Sequence, residues 1–285
     1  MSIGVGCAMW ANRDWVGTYL PIDTRPGGEL ASYSRICTAV EGNTSFYATP
    51  PPSTIQRWME SSEDEFRFVF KLPREITHDR RLRDVDGELT SFLDTISPLD
   101  EKLGPISIQL PASFGPGDLE VLGSFIHHLP GEFGWAVEVR HLAFHAGGDH
   151  ERTLNDALHE AGVDRVVFDS RAMFAGPCET DEEQRAFSEK PQLPVRGVAT
   201  GTQPVIRFIG QRDIETNRAF WAPWATRVTR WHAEGRHPIV FLHTADNVDA
   251  PAHARAFHDD CRLIDPSIPP LPALTGLAAQ PTLEL

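Results

Sequence analysis

Eight short, mostly apolar segments alternate along this chain with segments of helical periodicity, and this alternation predicts an α/β architecture. Eight strand–helix units within residues 1–264 match a single-domain (β/α)₈ TIM barrel, whose usual length is about 250 residues. An open doubly wound sheet is the rival fold, but the first turn lacks a GxGxxG phosphate loop and no P-loop follows. The predicted strands span residues 2–7, 39–47, 66–73, 106–111, 136–141, 165–170, 204–210 and 238–243.

Two segments fall outside this repeating pattern. Residues 176–203 are rich in proline, glycine and charge, which predicts a long loop with one short helix near Glu182. Residues 265–285 are rich in proline, leucine and alanine, which predicts a C-terminal tail without regular structure. The expected organisation is therefore one barrel domain over residues 1–264, followed by a Pro-rich tail.

Overall charge limits the classes of partner. The formal net charge is −14, which disfavours binding to nucleic acids or anionic membranes by charge alone, although a local basic pocket is compatible with it. The N-terminal segment does not resemble a signal peptide, and no apolar run approaches the roughly 20 residues of a membrane span. The four cysteines are scattered and form no CxxC pair, which argues against a disulfide scaffold. We therefore expect a cytoplasmic protein with no membrane partner.

The predicted fifth strand ends in two charged residues that share a face. Glu138 and Arg140 are two positions apart, so both side chains point to the same side of an extended chain. A carboxylate and a guanidinium are costly to bury unless they are paired. In a barrel this face lines the centre, and the strand ends open into the active site. The pair is therefore either part of a catalytic site or an ion pair that only closes the interior.

Other predicted strands also end in polar residues, which a barrel brings to the same face. The carboxylates of Glu138, Glu41 and Asp169 are candidate general bases. His243 is a candidate proton carrier near neutral pH. The remaining candidates are substrate-binding residues, and their positive charge suits a phosphate or carboxylate. They are Trp10, Asn43, Tyr47, Lys71, Arg74, His78, Gln109, Arg140, His141 and Arg207.

Structural roles and metal binding remain open alternatives. Lys71 has a second interpretation as the partner of a buried carboxylate, and Gln109 as a hydrogen-bonded core residue. Carboxylates and histidines at strand ends can bind a divalent metal, but the chain has no HxH or HExxH pattern, and nearby cations compete with a metal. We predict a site without a metal and assign no cofactor.

Four segments together resemble the YecE-like family of uncharacterised TIM-barrel proteins, also called DUF72. They are VEGNTSFYATPPPSTIQRW, FRFVFKLPREITH, ISIQLPASF and AVEVRH, and the match runs through residues 4–243. The resemblance implies the barrel fold and a common pocket, but no activity, because the reaction of the family is not established. The chain departs from the family pattern in residues 7–10, at Ile209, where a histidine is usual, and at His243-Thr244, where paired asparagines are frequent.

Three functional hypotheses follow. The first is an enzyme, a hydrolase, lyase or isomerase, that acts on a small anionic or phosphorylated metabolite. The second is a non-catalytic module for a phosphorylated ligand or a single-stranded nucleic-acid end, which stacks on aromatic residues such as Trp10. The net charge disfavours the nucleic-acid version. The third is a barrel that has lost its chemistry. The oligomeric state stays open.

Overall fold

The computed structural model describes residues 3–273, and all strand pairings in this range are parallel. The strands are Gly4–Cys7 (β1), Ala39–Gly42 (β2), Arg67–Phe70 (β3), Ile106–Gln109 (β4), Trp135–Glu138 (β5), Asp164–Arg165 (β6), Val167–Asp169 (β7), Val205–Ile209 (β8) and Ile239–His243 (β9). One sheet has six strands in the order β3-β2-β1-β9-β8-β7, and the other has three in the order β4-β5-β6. The chain is therefore an α/β fold with parallel sheets, as predicted.

Helices separate most of the strands, because a parallel connection must return the chain to the same end of the sheet. Each longer helix buries one side. The helix Asp86–Ile96 shows the spacing of three and four residues that places apolar side chains on one face, with Leu89, Phe92, Leu93 and Ile96 buried. None of the described helices is long and apolar enough to cross a membrane. The helices are Glu29–Tyr33 (α1), Pro52–Ser61 (α2), Asp86–Ile96 (α3), Leu119–His127 (α4), Asp149–Glu160 (α5), Arg171–Ala175 (α6), Asp181–Glu189 (α7), Ile214–Ala233 (α8) and Ala250–Ile264 (α9).

The two sheets are linked at both of their edges. A single β-bridge joins Lys71, just after β3, to Ser107 in β4. On the other side, only Val166 separates β6 from β7, and its N–H donates to Val137 O at 2.9 Å. The sequence predicted one strand over residues 165–170. The structure has two, because β6 pairs with β5 whereas β7 pairs with β8.

Strand residues alternate between two buried faces, and this alternation positions the site. One face packs against the helices in the large apolar core. The other, which we call the inner face, carries a separate apolar cluster of Ala39, Val69, Ala136, Val166, Val205, Ile239 and Phe241. Side chains two positions further along share the inner face with this cluster. They are Glu41, Lys71, Glu138, Phe168, Arg207 and His243.

The described part of the predicted tail packs on the end of α9. Residues 265–273 contain no helix or strand, but Ile268 and Leu271 are buried. The Arg255 guanidinium donates to Pro272 O at 2.5 Å. The rest of the predicted tail, residues 274–285, lies outside the described residues.

Candidate functional site

Arg207 is the centre of a buried charge network on the inner face. Its Nη1 donates to Glu138 Oε2 at 2.8 Å, and its Nη2 donates to Glu41 Oε2 at 3.0 Å. The three side chains are almost completely inaccessible to solvent. Two buried carboxylates repel each other, and the guanidinium between them offsets both the repulsion and the cost of burial.

Arg140 extends this network towards solvent. Its Nε and Nη2 each lie 2.8 Å from Glu138 Oε1, so Glu138 is held by arginines at both oxygens. The guanidinium groups of Arg140 and Arg207 lie 5.8 Å and 5.6 Å from the centroid of the Phe168 ring. The Arg140 side chain is 23% exposed, which leaves part of its guanidinium free for a ligand.

The arginines keep both carboxylates ionised. Burial raises the pKa of Glu138, but the neighbouring cations, Arg207 first, outweigh burial and lower the pKa to about 2. The same competition lowers the pKa of Glu41. A carboxylate with so low a pKa is a weak base. The role of Glu138 as general base stays a prediction, which this geometry does not favour: its side chain is buried, and arginines bind both of its oxygens.

A cavity of about 620 Å³ opens beside this network at the carboxyl ends of the strands. Its volume suits a small molecule, because ligand pockets commonly measure about 300–1,000 Å³. Aromatic residues form part of its rim, where Tyr47 is 80% exposed. Nine of the predicted site residues line the cavity: Trp10, Glu41, Asn43, Tyr47, Lys71, Gln109, Arg140, Arg207 and His243.

Lys71 enters the cavity wall just beyond β3. The residue is buried, and its Nζ donates to Gln109 Oε1 at 2.8 Å. Within residues 3–273, Lys71 forms no salt bridge, so the alternative role as partner of a buried carboxylate does not fit. Burial and then Arg207 lower the pKa of Lys71 to about 8, although Glu41 opposes them. A fraction of Lys71 is therefore the neutral amine near neutral pH.

His243 lines the same cavity, but one of its ring nitrogens is buried. Its Nε2 lies 3.7 Å from Glu41 Oε2, and it has no hydrogen-bond partner among the described residues. Burial lowers the pKa of His243 to about 3; the Glu41 carboxylate opposes this shift, and Arg207 adds to it. The imidazole is therefore neutral at neutral pH, with its Nε2 enclosed beside Glu41.

Lys190 is a cavity residue that the strand-end pattern did not identify. It follows α7 within the segment 176–203 and lines the cavity beside Glu189. Burial, followed by Arg207, lowers the pKa of Lys190. The residue does not end a strand, so only the rarity of lysine in this chain could have singled it out.

Asp169 lies on the opposite face from the cavity, so the structure does not bring it together with the other predicted catalytic residues. Val166 belongs to the inner cluster, so Asp169, three positions later, points towards the helices. Its Oδ1 accepts a hydrogen bond from Arg171 Nε at 3.0 Å, and its Oδ2 accepts one from Trp224 Nε1 at 2.7 Å. Asp169 ends a strand, as expected, but its carboxylate connects β7 to α6 and α8.

Three more predicted binding residues do not line the cavity. Arg74 is exposed and forms a surface ion pair. His78 is half-buried and packs edge-on against Phe46, with ring centroids 5.0 Å apart. His141 accepts a hydrogen bond from Ala143 N–H at its Nδ1, at 3.2 Å. All three follow strand ends in the sequence, but the loops direct them away from the cavity lining.

The donor set around the cavity favours an anion. Within residues 3–273, no group of three or more His, Cys, Asp or Glu side chains is arranged to hold a metal ion. The two inner carboxylates, Glu41 and Glu138, already bind Arg207. A cation ligand would have to displace a guanidinium from them.

Known proteins resemble this chain over most of its length. Residues 4–274 match the model of a family described as a protein of unknown function, DUF72. The UPF0759 protein YecE of Escherichia coli (strain K12) is 40% identical over 272 residues, which cover 95% of this chain and 97% of that protein. The UPF0759 protein YunF of Bacillus subtilis (strain 168) is 25% identical over 171 residues, which cover 58% and 60%.

Two solved structures have a similar fold. A DUF72 family protein (EF0366) from Enterococcus faecalis V583 matches with a TM-score of 0.68 and 16% identity, over 91% of this chain and 95% of that one. A DUF72 family protein (TM1631) from Thermotoga maritima MSB8 matches with a TM-score of 0.64 and 20% identity, over 93% and 99%. At such identities the similarity concerns the fold alone.

Proposed function

Because this chain belongs to the DUF72 family, whose function is unknown, we propose a function from its own cavity. The protein is an enzyme that binds a small anionic or phosphorylated metabolite and transforms it by proton transfer. We also interpret the two sheets as one (β/α)₈ barrel in which β6 and β7 are halves of a single strand. The Lys71–Ser107 bridge and the hydrogen bond of Val166 support this closure.

The observation that carries the proposal is an excess of cations at the cavity of an acidic protein. Two buried carboxylates are neutralised by Arg207 and by one side of Arg140. Lys71, Lys190 and the exposed side of Arg140 remain for a ligand, against one further lining carboxylate, that of Glu189, whereas the chain as a whole carries −14. Cationic donors that converge on a partly enclosed cavity bind phosphate and carboxylate groups.

Proton transfer is assigned to Lys71. It has a pKa of about 8 and exchanges its proton near neutral pH. His243 is neutral, but its Nε2 is buried beside Glu41 and its pKa of about 3 makes it a weak base. Glu41 and Glu138 hold Arg207 in place instead of acting as bases. This assignment leaves hydrolase, lyase and isomerase reactions open.

The proposal is tested by a thermal-shift screen of phosphate esters, carboxylates and neutral compounds of the same size. A ligand that binds the folded protein raises its melting temperature with concentration. We expect the phosphate and carboxylate compounds to do so, and Arg140→Gln to weaken their apparent affinity by about tenfold or more, as for the loss of a charged hydrogen bond. Turnover of each bound compound is then followed by NMR.

The matched control is Arg212→Gln, which removes an exposed arginine from a surface ion pair outside the cavity. It should leave the affinities unchanged. If only neutral compounds bind, or if Arg140→Gln and Arg212→Gln behave alike, the cavity is not an anion site.

A non-catalytic role is the second candidate, and the aromatic rim favours it. Tyr47 is largely exposed at the cavity edge, and its ring lies 5.2 Å from that of Phe46. Exposed rings next to cations can stack on nucleobases. Binding of short single-stranded oligonucleotides that weakens with salt, without turnover of any small anion, would favour this role over the enzyme.

A further inference from the structure

We propose that Lys71 is a nucleophile that forms an imine with its substrate, and that the substrate is a carbonyl compound bearing a phosphate or carboxylate. This inference rests on the proposed function, because it assumes that the cavity binds an anion. It narrows the chemistry to lyase or isomerase reactions, since an imine stabilises negative charge that develops on the neighbouring carbon.

Lysine usage gives the first argument. The chain has 26 lysine and arginine residues together, and only three of them are lysines: Lys71, Lys102 and Lys190. Two of these three line the cavity. Arginine binds anions at least as well as lysine, but its guanidinium does not give up a proton in proteins. A chain that otherwise uses arginine therefore places lysine where a neutral amine can form.

The surroundings of the Lys71 amine give the second argument. Its Nζ donates to the neutral amide of Gln109 at 2.8 Å, and no carboxylate of the described residues forms a salt bridge with it. Lys102 differs, because its Nζ donates to the carbonyl oxygens of Met59 and Ser62 at 2.9 Å and 2.7 Å. Lys102 is therefore fixed by its neighbours, whereas Lys71 is oriented by one acceptor at the wall of an open cavity.

The reaction balances without a further reactant. The neutral Lys71 amine attacks the carbonyl carbon; the C–N bond forms as the π bond of the C=O group breaks, and one proton passes from nitrogen to the oxygen. In the resulting carbinolamine the second nitrogen proton passes to the same oxygen, which leaves as water as the C–O bond breaks and the C=N bond forms. One amine and one carbonyl thus give one imine and one water. Reversal of these steps releases the product.

Water in the open cavity carries the protons between the Lys71 nitrogen and the departing oxygen. His243 lines the same cavity, but its Nε2 is buried beside Glu41 and its pKa of about 3 makes it a weak base. Arg140 and Lys190 then remain for the phosphate or carboxylate of the substrate.

Reductive trapping tests the proposal in the intact protein. Pyridoxal 5′-phosphate serves as an aldehyde that carries a phosphate, pyridoxal is its phosphate-free control, and borohydride fixes any imine for peptide mass spectrometry. We expect Lys71 to be labelled about tenfold faster or more than Lys102, because the Lys71 amine faces the cavity whereas that of Lys102 donates to the carbonyl oxygens of Met59 and Ser62. We also expect pyridoxal to label Lys71 more slowly, and inorganic phosphate to protect it.

The result overturns the inference if Lys190, Lys102 or the N-terminal amine is labelled and Lys71 is not. A thermal shift with phosphate esters, together with an unlabelled Lys71, rejects the imine but keeps the proposed function. If the anions cause no thermal shift and the label is independent of phosphate, the proposed function itself fails.

A second test uses the variant Gln109→Glu, which keeps Lys71 in place. A carboxylate placed at the Gln109 amide favours the protonated amine of Lys71. Labelling of Lys71 should therefore become slower at pH 7, and its pH profile should move to higher pH with the same plateau. An unchanged profile contradicts the assigned contact between Gln109 and a reactive Lys71.

Discussion

Arg165 and Arg207 are both buried arginines on parallel strands, but they lie on opposite faces. Arg165 points to the helices, where its Nη1 donates to Glu151 Oε1 at 3.0 Å and to Asn155 Oδ1 at 2.7 Å. Its Nη2 donates to Phe144 O at 2.5 Å. Arg207 points to the inner face and binds two carboxylates beside an open cavity.

The difference separates a structural network from a binding network. At Arg165 the donors meet acceptors from α5 and a neighbouring loop, and the residue does not line the cavity. At Arg207 the network continues through Glu138 into Arg140, and Lys71 and Lys190 line the cavity beside it; these three cations have capacity left for a ligand. Burial of an ion pair therefore does not indicate function by itself. An excess of one charge, exposed to a cavity of molecular size, does.

The largest expected effect is on stability, and it compares the two arginines directly. Arg207→Met leaves Glu41 and Glu138 buried with less compensation, and should lower the free energy of unfolding by about 3–5 kcal/mol at pH 7. Arg165→Met should lower the free energy of unfolding by less, because the Glu151 carboxylate still accepts a hydrogen bond from Gly147 N–H at 2.6 Å. Urea unfolding measures both.

A double variant sharpens this first prediction. Adding Glu138→Gln to Arg207→Met removes one of the unpaired charges, so it should recover part of the lost stability. If Arg165→Met lowers the free energy of unfolding by more than Arg207→Met does, the proposed difference between the two faces is wrong.

The next effect is the pH dependence of stability, and it belongs to the cavity side. The pKa of His243 is about 3 in the folded protein, below its ordinary value of 6.5, so the unfolded chain binds the proton more readily between these values. Stability is therefore lost as the pH falls through this window, by up to about 1.4 kcal/mol per pH unit. His243→Gln should reduce the slope between pH 6.5 and 5.

The matched control for this slope is His127→Gln, because His127 is exposed on α4. Its variant should keep the slope of the unchanged protein in urea unfolding at each pH. Equal slopes for the two histidine variants would contradict the buried, neutral state of His243.

A smaller effect is expected at the outer face, where Asp169 is bound. Trp224→Phe removes the hydrogen bond at 2.7 Å to Asp169 Oδ2 and should lower the free energy of unfolding by about 1–2 kcal/mol. Because Asp169 is bound on the helix side, anion affinity in the folded protein should not change. A loss of affinity in titration calorimetry would return Asp169 to the functional site.

The smallest effect is expected for Arg74, which the sequence proposed as a binding residue. Its ion pair with Asp79 is exposed, so Arg74→Gln should change the free energy of unfolding by less than about 0.5 kcal/mol. Anion affinity should stay the same, in contrast to Arg140→Gln. An equal loss of affinity in both variants would extend the site beyond the cavity.

The sequence predicted the fold class and much of the site from strand ends. Glu41, Lys71, Arg207 and His243 were found because each is a polar residue in or just after an apolar strand, and parallel strands bring their carboxyl ends together. Asp169 follows the same pattern but lies on the other face. Phe168 is the residue that shares the inner face with Val166, so the position of a polar residue at the end of an apolar run does not by itself give its face.

Residues that lie on loops could not be assigned to the cavity, or excluded from it, by the pattern of strand ends. Lys190 reaches the cavity from the segment 176–203, whose path depends on tertiary packing and not on a repeating pattern. His141 follows its strand closely, yet it caps a short turn instead of facing the cavity. The charge balance also depends on distances. Glu138 and Arg140 were expected on one face, but the second arginine partner of Glu138, Arg207, could not be placed beside it from sequence.

The inner-face cations form an anion site, whereas the outer arginine network does not. X-ray diffraction from crystals soaked in tungstate, a phosphate analogue with strong anomalous scattering, distinguishes the two networks. We expect an anomalous peak in the cavity, within contact distance of Arg140 and Lys190, that disappears in Arg140→Gln crystals. A cavity without a peak, together with peaks only at other surface arginines, would contradict it.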